Sequence, residues 1–324
     1  MSDLAAEKKK ARPRLVVIGG GTGLSVLLRG LKKSPFDLTA IVTVADDGGS
    51  SGRLRNDMQM PPPGDVRNVL VALADVEPLL EKMLQYRFSN GDGLAGHNLG
   101  NLIIAALKDI TGDFNHGIQE LSRVLAIRGR VLPSTAQTIT LKAKLSDGRL
   151  IEGESNIPQV GRRIERVFID PKDAKPVGEA LEAIAQADGI VIGPGSLYTS
   201  LLPNLLVQGM ADAVQASSAK KIYICNVMTQ AGETDGYTAA DHVEAIYRHV
   251  GKGLFDVVIA NDAMPPLAIQ QRYAAEGAAP VVLDRDRIRE LGCDTVATNL
   301  LEARDFLRHN ASFLSRCIMR LICK

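Results

Sequence analysis

The segment Leu15-Val16-Val17-Ile18 is an unbroken apolar run that passes straight into Gly19-Gly20-Gly21-Thr22-Gly23, and Leu24, Leu27, Leu28 and Leu31 then recur at helical spacing. A short apolar strand, a glycine turn and an amphipathic helix constrain the chain more than any other feature. A strand that is apolar on both faces must be covered on both, and consecutive parallel strands need a crossover between them. A second apolar strand at 38–44 completes a β-loop-α-β unit. The same grammar returns later: a helix at 177–187, a strand at 189–192, a Gly/Pro loop and a helical stretch at 201–207. Further strands are predicted at 221–226, 256–260 and 280–283, with helices between them. The first and last thirds therefore predict an α/β protein with a mostly parallel sheet covered on both faces.

The middle of the chain breaks this pattern. Strands at 138–145, 149–155 and 163–169, the first two joined by Ser146-Asp147-Gly148, predict an antiparallel β excursion near 130–170. The expected organisation is a flexible basic tail at 1–13, one α/β domain at 14–310 carrying this insertion, and a C-terminal amphipathic helix at 311–324. In that helix Phe313, Leu314, Cys317, Ile318, Leu321 and Ile322 form an apolar stripe, with Arg316, Arg320 and Lys324 outside it. The pattern suits docking or a dimer contact better than membrane attachment, because the stretch is short.

Composition excludes several classes of function. Lys plus Arg total 38 against 37 Asp plus Glu, a net charge of +1 that gives no general pull toward nucleic acid or an anionic membrane. An anionic ligand must then be held locally. The absence of Trp and the 4% aromatic content argue against a base-stacking platform. No apolar run approaches the roughly 18–20 residues of a membrane span, and residues 1–14 lack the apolar core of a signal peptide, so a cytoplasmic protein is expected. Cys225, Cys293, Cys317 and Cys323 show neither paired spacing nor a neighbouring His at metal spacing, which predicts reduced thiols and no metal site.

The chemistry concentrates in five segments. Gly20, Gly21, Thr22 and Gly23 strip Cβ atoms from a strand-to-helix turn, so backbone N–H groups can face a phosphate at the positive end of the helix dipole. The alternative is a tight turn needed for close helix–strand packing. The spacing completes neither a dinucleotide fingerprint nor a P-loop. After the second strand, Asp46 and Asp47 precede Gly48-Gly49-Ser50-Ser51-Gly52. Their carboxylates suit a ribose hydroxyl, a substrate hydroxyl or a divalent ion such as Mg²⁺ on a diphosphate, with Ser50 and Ser51 as hydrogen-bonding partners. Capping of a Gly/Ser-rich turn is the plainer reading.

Pro61 to Asn68 predicts a stiff turn in which Asp65 caps the next helix, leaving Arg67 and Asn68 to face a cleft. His97, Asn98 and Asn101 gather at the start of another helix, where polar groups can read a ligand. Gly193-Pro194-Gly195-Ser196 repeats the anion-binding logic on the far side of a crevice, and Ser196 lacks the surround of a nucleophile elbow. Asn226, Thr229 and Gln230 open a loop to Tyr237 whose amides and hydroxyls suit a base or sugar, or which is simply a long solvated loop.

Six stretches together resemble one family: VVIGGGTGLSVLLRGLK, VADDGGSSGRLR, PPGDVRNVLVALAD, GHNLGNLIIAAL, GPGSLYTSLLPNLLVQG and CNVMTQAGETDGYTAADH. They are similar, in order and over most of the chain, to the gluconeogenesis-factor (YvcK-like) branch of the CofD-like superfamily, whose other branch is 2-phospho-L-lactate transferase. The resemblance implies a Rossmann-like doubly wound fold and a cytosolic protein needed for growth and cell shape on gluconeogenic carbon sources. It also implies binding of a UDP-sugar such as UDP-N-acetylglucosamine. Asp46-Asp47 matches the Asp-Asp pair that the transferase branch places near its acceptor, whereas the Gly-Gly-Ser-Ser-Gly that follows belongs to the gluconeogenesis-factor branch. Arg308-His309-Asn310-Ala311 looks like the family's Arg-His-Asp-Thr segment, with Arg308 a diphosphate contact and no hydroxyl at Ala311 for regulation.

The leading expectation is a non-catalytic UDP-sugar-binding regulator linking carbon metabolism to envelope synthesis. It would be homo-oligomeric and have a protein partner in that process. The alternative is a transferase acting on a nucleotide-diphosphate-linked substrate, with Asp46 and Asp47 as catalytic candidates. An NAD-dependent dehydrogenase is weaker, since no His/Lys/Tyr constellation for hydride chemistry is present.

Overall fold

The computed structural model describes residues 12–303 and 307–323, so of the expected basic tail only Arg12 and Pro13 fall within it. The first half runs β1 (Arg14–Gly19), α1 (Gly21–Leu31), β2 (Asp37–Val42), α2 (Gly49–Met58), α3 (Gly64–Leu73), α4 (Pro78–Gln85), α5 (Leu99–Thr111), α6 (Phe114–Val124) and β3 (Arg130–Pro133). An antiparallel part follows, β4 (Thr140–Leu145), β5 (Leu150–Glu152) and β6 (Ile164–Asp170). The second half runs α7 (Gly178–Ala185), β7 (Gly189–Ile192), α8 (Leu202–Leu206), α9 (Met210–Ala216), β8 (Lys220–Ile224), α10 (Ala239–Val250), β9 (Val257–Asn261), α11 (Leu267–Ala275), α12 (Arg285–Glu290) and β10 (Asp294–Thr298). A small hairpin, β11 (Leu301–Ala303) and β12 (Leu307–His309), leads to α13 (Ala311–Ile322).

Seven strands form one parallel sheet in the order β10-β9-β8-β7-β1-β2-β3. From β1 the chain builds outward to β2 and β3 on one side, then returns to lay β7 and its successors on the other. That reversal opens a crevice beyond the C-terminal ends of β1 and β7, the place where open α/β sheets hold ligands. The core explains the order: Leu15, Val17 and Ile18 of β1 and Ile190 and Val191 of β7 are wholly buried, as central strands covered on both faces must be.

Two sequence expectations are corrected. Residues 280–283 form no ladder strand; the sheet's edge is β10 instead. Pro280 lacks an N–H, and its neighbours are captured by the loop after β8: Val281 N–H donates to the Val227 carbonyl and Thr229 N–H to the Ala279 carbonyl. Arg130–Pro133 pairs parallel with β2 as the other edge of the main sheet, so the antiparallel part begins at Thr140 and not near 130.

The excursion is a three-stranded sheet, β5-β4-β6, with Gly148 in the left-handed conformation at the expected turn. The apolar stripe of α13 docks: Leu314 and Ile318 are buried, and a Cβ on Gly30 of α1 would fall 2.7 Å from the Ala311 carbonyl oxygen. The helix therefore lies on α1 at a contact only glycine allows. Among the described residues no helix is long and apolar enough to cross a membrane.

Candidate functional site

The crevice holds a cavity of about 310 Å³ lined by Gly20–Gly23, Pro194–Ser196, Ser200, 226–230, Tyr273 and His309. The structure thus brings both predicted glycine turns and the Asn226 loop together. The turns touch: a Cβ on Gly23 would lie 3.0 Å from the Pro194 carbonyl oxygen, and one on Gly195 3.3 Å from that of Gly20. Gly193, at φ +90°, would place a Cβ 2.8 Å from the Ile224 carbonyl oxygen. These glycines therefore serve close backbone packing. Among the described residues no protein group accepts from the N–H of Thr22 or Gly23, at the first turn of α1.

Asp65 does not cap α3. Pro63 holds that position without a side-chain bond, and the Asp65 carboxylate instead accepts the Gly21 N–H at 2.9 Å, bridging to α1. Burial, then the negative charge of Asp46, push its pKa up to about 6, against the pull of the Gly21 N–H and Arg67.

The second turn is served in the same way. Helix does not begin at once after Ser196; a π-helical turn, Leu197–Leu201, precedes α8. Buried Glu233 accepts from Tyr198 N–H at 3.3 Å and from the Thr199 hydroxyl at 3.1 Å. Burial raises its pKa to about 7. Asn226 grips Gly195 by both backbone groups, accepting its N–H at 3.3 Å and donating to its carbonyl at 2.9 Å. Gln230 donates to the Ser196 hydroxyl at 2.7 Å. Thr229, Glu233, Thr234 and Tyr237 are all buried, so 226–237 is a packed wall and not a solvated loop.

Asp65, Asp46 and Asp47 do not line this cavity: Asp65 sits against its Gly20–Gly21 wall, and Asp46 lies next to Gly64. Asp46 accepts the Gly48 N–H at 2.9 Å, and Asp47 accepts the Ser155 N–H of the excursion at 2.9 Å. Gly52 is needed there, since a Cβ would meet the Asp47 carbonyl oxygen at 2.0 Å. The two carboxylates turn to different backbone partners, and among the described residues no three His, Cys, Asp or Glu side chains are placed to hold a metal.

Other predicted contacts are spent on each other. Asn98 caps α5 by accepting the Asn101 N–H, and the Ser50 hydroxyl accepts the Asn98 N–H at 3.1 Å while facing His97 Nδ1 at 3.2 Å. Asn101 donates to Ser51 and accepts from Arg67 at 3.0 Å, and Arg67 also donates to Asn68 at 2.7 Å. This network fastens α2 and α3 to α5. The backbone of Arg308 lies in β12, and its side chain falls outside the described part.

Sequence reasoning did not single out Glu154 or Tyr273; Ser200, Glu233 and His309 lie within segments it did single out, though not among its site candidates. Glu154 rides on the excursion beside Asp47, with no hydrogen-bond partner among the described residues. Burial and the charges of Asp46, Asp65, Asp47 and Glu233 raise its pKa to about 8. His309, whose ring lies 3.1 Å from the Cys225 carbonyl oxygen, carries the C-terminal hairpin into the cavity wall. No local pattern marks Glu154 or Tyr273, because each comes from a segment far from the glycine turns in the chain.

A switch-point crevice between two glycine turns lies where open α/β sheets hold ligands, and comparison with known proteins gives the fold a family. The family model described as 2-phospho-L-lactate transferase CofD matches residues 15–301, so the chain belongs to the CofD family. It is similar to the gluconeogenesis factor of Halalkalibacterium halodurans, 57% identical over 313 residues that cover 96% of each chain. It is also similar to the gluconeogenesis factor of Bacillus subtilis, 51% identical over 312 residues covering 96% of this chain and 98% of that one. A crystal structure of a Bacillus halodurans protein superposes with a TM-score of 0.93 at 57% identity, covering 95% of this chain and 99% of the other.

Proposed function

We propose that the crevice binds a nucleotide-diphosphate sugar, with UDP-N-acetylglucosamine as the leading candidate. On this reading the chain acts as a regulator coupling carbon metabolism to envelope synthesis. The observation that carries the reading is the contact between the two glycine turns. Thr22 and Gly23, whose N–H groups have no protein acceptor among the described residues, line one cavity with Asn226, Thr229 and Gln230. The names of the relatives support the metabolic side of the reading.

Calorimetry with UDP-N-acetylglucosamine, UDP-glucose, ADP-glucose and NAD tests it. An unpaired buried amide costs about 1–3 kcal/mol, so uridine sugars should bind at least about tenfold tighter than the adenine ligands. Equal affinities would leave a generic diphosphate pocket and remove the case for UDP-sugar sensing.

Family membership favours one second reading, transfer of a group from a nucleotide-diphosphate-linked donor, with Asp46 and Asp47 at the acceptor. Turnover that Asp47→Asn abolishes would establish it. Intact binding without product across acceptors would favour the regulator.

A further inference from the structure

The start of α1 puts two electrically different groups side by side at the cavity wall. Thr22 and Gly23 offer N–H groups with no protein acceptor among the described residues, while the adjacent Gly21 N–H is already taken by the Asp65 carboxylate at 2.9 Å. A Cβ on Gly20 would lie 2.7 Å from Asp65 Oδ2, and one on Gly64 2.6 Å from Asp46 Oδ2, so both carboxylates press against glycine backbone. Glu154 on the excursion feels the charges of both. The nearby Arg67 attracts them from a distance but pairs with neither, because its guanidinium is directed to the amide oxygens of Asn101 and Asn68. Among the described residues, neither Asp46 nor Asp65 is in a salt bridge.

We infer that Asp65 is a specificity-determining residue: a fixed negative charge that admits a sugar-linked diphosphate and rejects the free nucleoside di- and triphosphates. The inference rests on the nucleotide-diphosphate reading above. A phosphate pair esterified at both ends carries about one negative charge fewer than a free nucleoside diphosphate and about two fewer than a triphosphate. The phosphates of a sugar-linked ligand can sit on Thr22 and Gly23, with the sugar continuing toward Asp65 and Asp46. Sugar hydroxyls donate to carboxylates, whereas a terminal phosphate in the same place meets like charge at short range with little solvent to screen it. The helix N-terminus would otherwise favour the more highly charged ligand, so the resident carboxylate reverses the preference that α1 alone would set.

The test is calorimetry of wild type, Asp65→Asn and Asp46→Asn against UDP-glucose, UDP and UTP, with EDTA present and at about pH 8, above the Asp65 value of about 6. Asparagine keeps an acceptor for the Gly21 N–H, and melting curves check that each variant folds. Wild type should prefer UDP-glucose over UDP, and UDP over UTP, by about tenfold or more at each step. Asp65→Asn should shrink those ratios at least about fivefold through tighter UDP and UTP. Asp46→Asn should move them the same way by less, and it decides the matter if Asp65→Asn does not fold. A wild type that binds UDP and UTP as tightly as UDP-glucose overturns the filter, as do folded variants with unchanged ratios. In those cases the nucleotide reading stands; if wild type binds none of the three ligands, both fall together.

Discussion

His249 on α10 accepts the backbone N–H of Val167 on β6 through Nε2 at 2.9 Å, while its Nδ1 lies 2.6 Å from the Ala245 carbonyl oxygen. Only a neutral ring protonated on Nδ1 satisfies both partners. One imidazole therefore fastens the antiparallel excursion, and with it Glu154 and Ser155, to the main domain. Burial, helped by Arg166 and Arg248 nearby, holds the His249 pKa below the ordinary value.

Stability should fall in mild acid. His97, His242, His249 and His309, four of the five histidines, are all shifted down, with burial the largest cause in each. The unfolded chain then binds protons first. The stabilisation is complete above about pH 7 and is lost as pH falls from about 6.5, the ordinary His value, toward the lower folded values. Urea unfolding at several pH values measures this. His249→Gln, which keeps an acceptor for Val167, should flatten part of the acid limb; an unchanged limb would remove His249 as a source.

Glu154→Gln should stabilise the protein above neutrality. The folded pKa of about 8 exceeds the unfolded value. The carboxyl therefore costs nothing below about pH 4, its cost grows as the unfolded chain ionises, and it is complete above about pH 8. A gain of about 1–3 kcal/mol at pH 9, a few degrees in Tm, that disappears at pH 4 is the expected result. Equal melting temperatures at both pH values would show that the carboxyl is well solvated.

Gly52→Ala should disturb the site from inside a helix that ordinarily favours alanine. Its Cβ would meet the Asp47 carbonyl oxygen at 2.0 Å, so Asp47 must move and its bond from Ser155 N–H must weaken. A loss of about 1–3 kcal/mol, in place of the usual gain for Gly→Ala in a helix, is expected. Faster amide exchange at Ser155 in the variant would locate the damage, and native-like exchange there would contradict it.

Asn226→Ala removes both side-chain bonds to Gly195. Losing two hydrogen bonds worth about 1 kcal/mol each should lower Tm modestly and weaken UDP-sugar binding by about tenfold or more, because the second turn is no longer held against the first. Wild-type affinity in a folded variant would take the second turn out of the binding site.

Much of the architecture was written along the chain. The run Leu15–Ile18, its glycine turn and the leucines of α1 are read from neighbours within one helix length, and so are the antiparallel hairpin and the apolar stripe of α13. Periodicity reports which side of an element is buried, and that suffices for element type and for a parallel sheet, while the two glycine turns mark the sides of its crevice. Partners are a different matter. Asp65 satisfies the sequence rule for a cap, yet it bonds Gly21, 44 residues away; Glu233 reaches Tyr198 across 35 and Asp47 reaches Ser155 across 108. A carboxylate beside a helix start answers several unsatisfied N–H groups equally well on paper, and only the packed fold selects one. For the same reason Asn98 and Asn101, eligible from sequence as ligand readers, were claimed by helix capping and by Arg67 once α2, α3 and α5 met. The glycine turns in the chain marked the sides of the crevice, while the charges and amides around it were decided by tertiary packing, because buried polar groups pair with whatever the fold brings within about 3 Å.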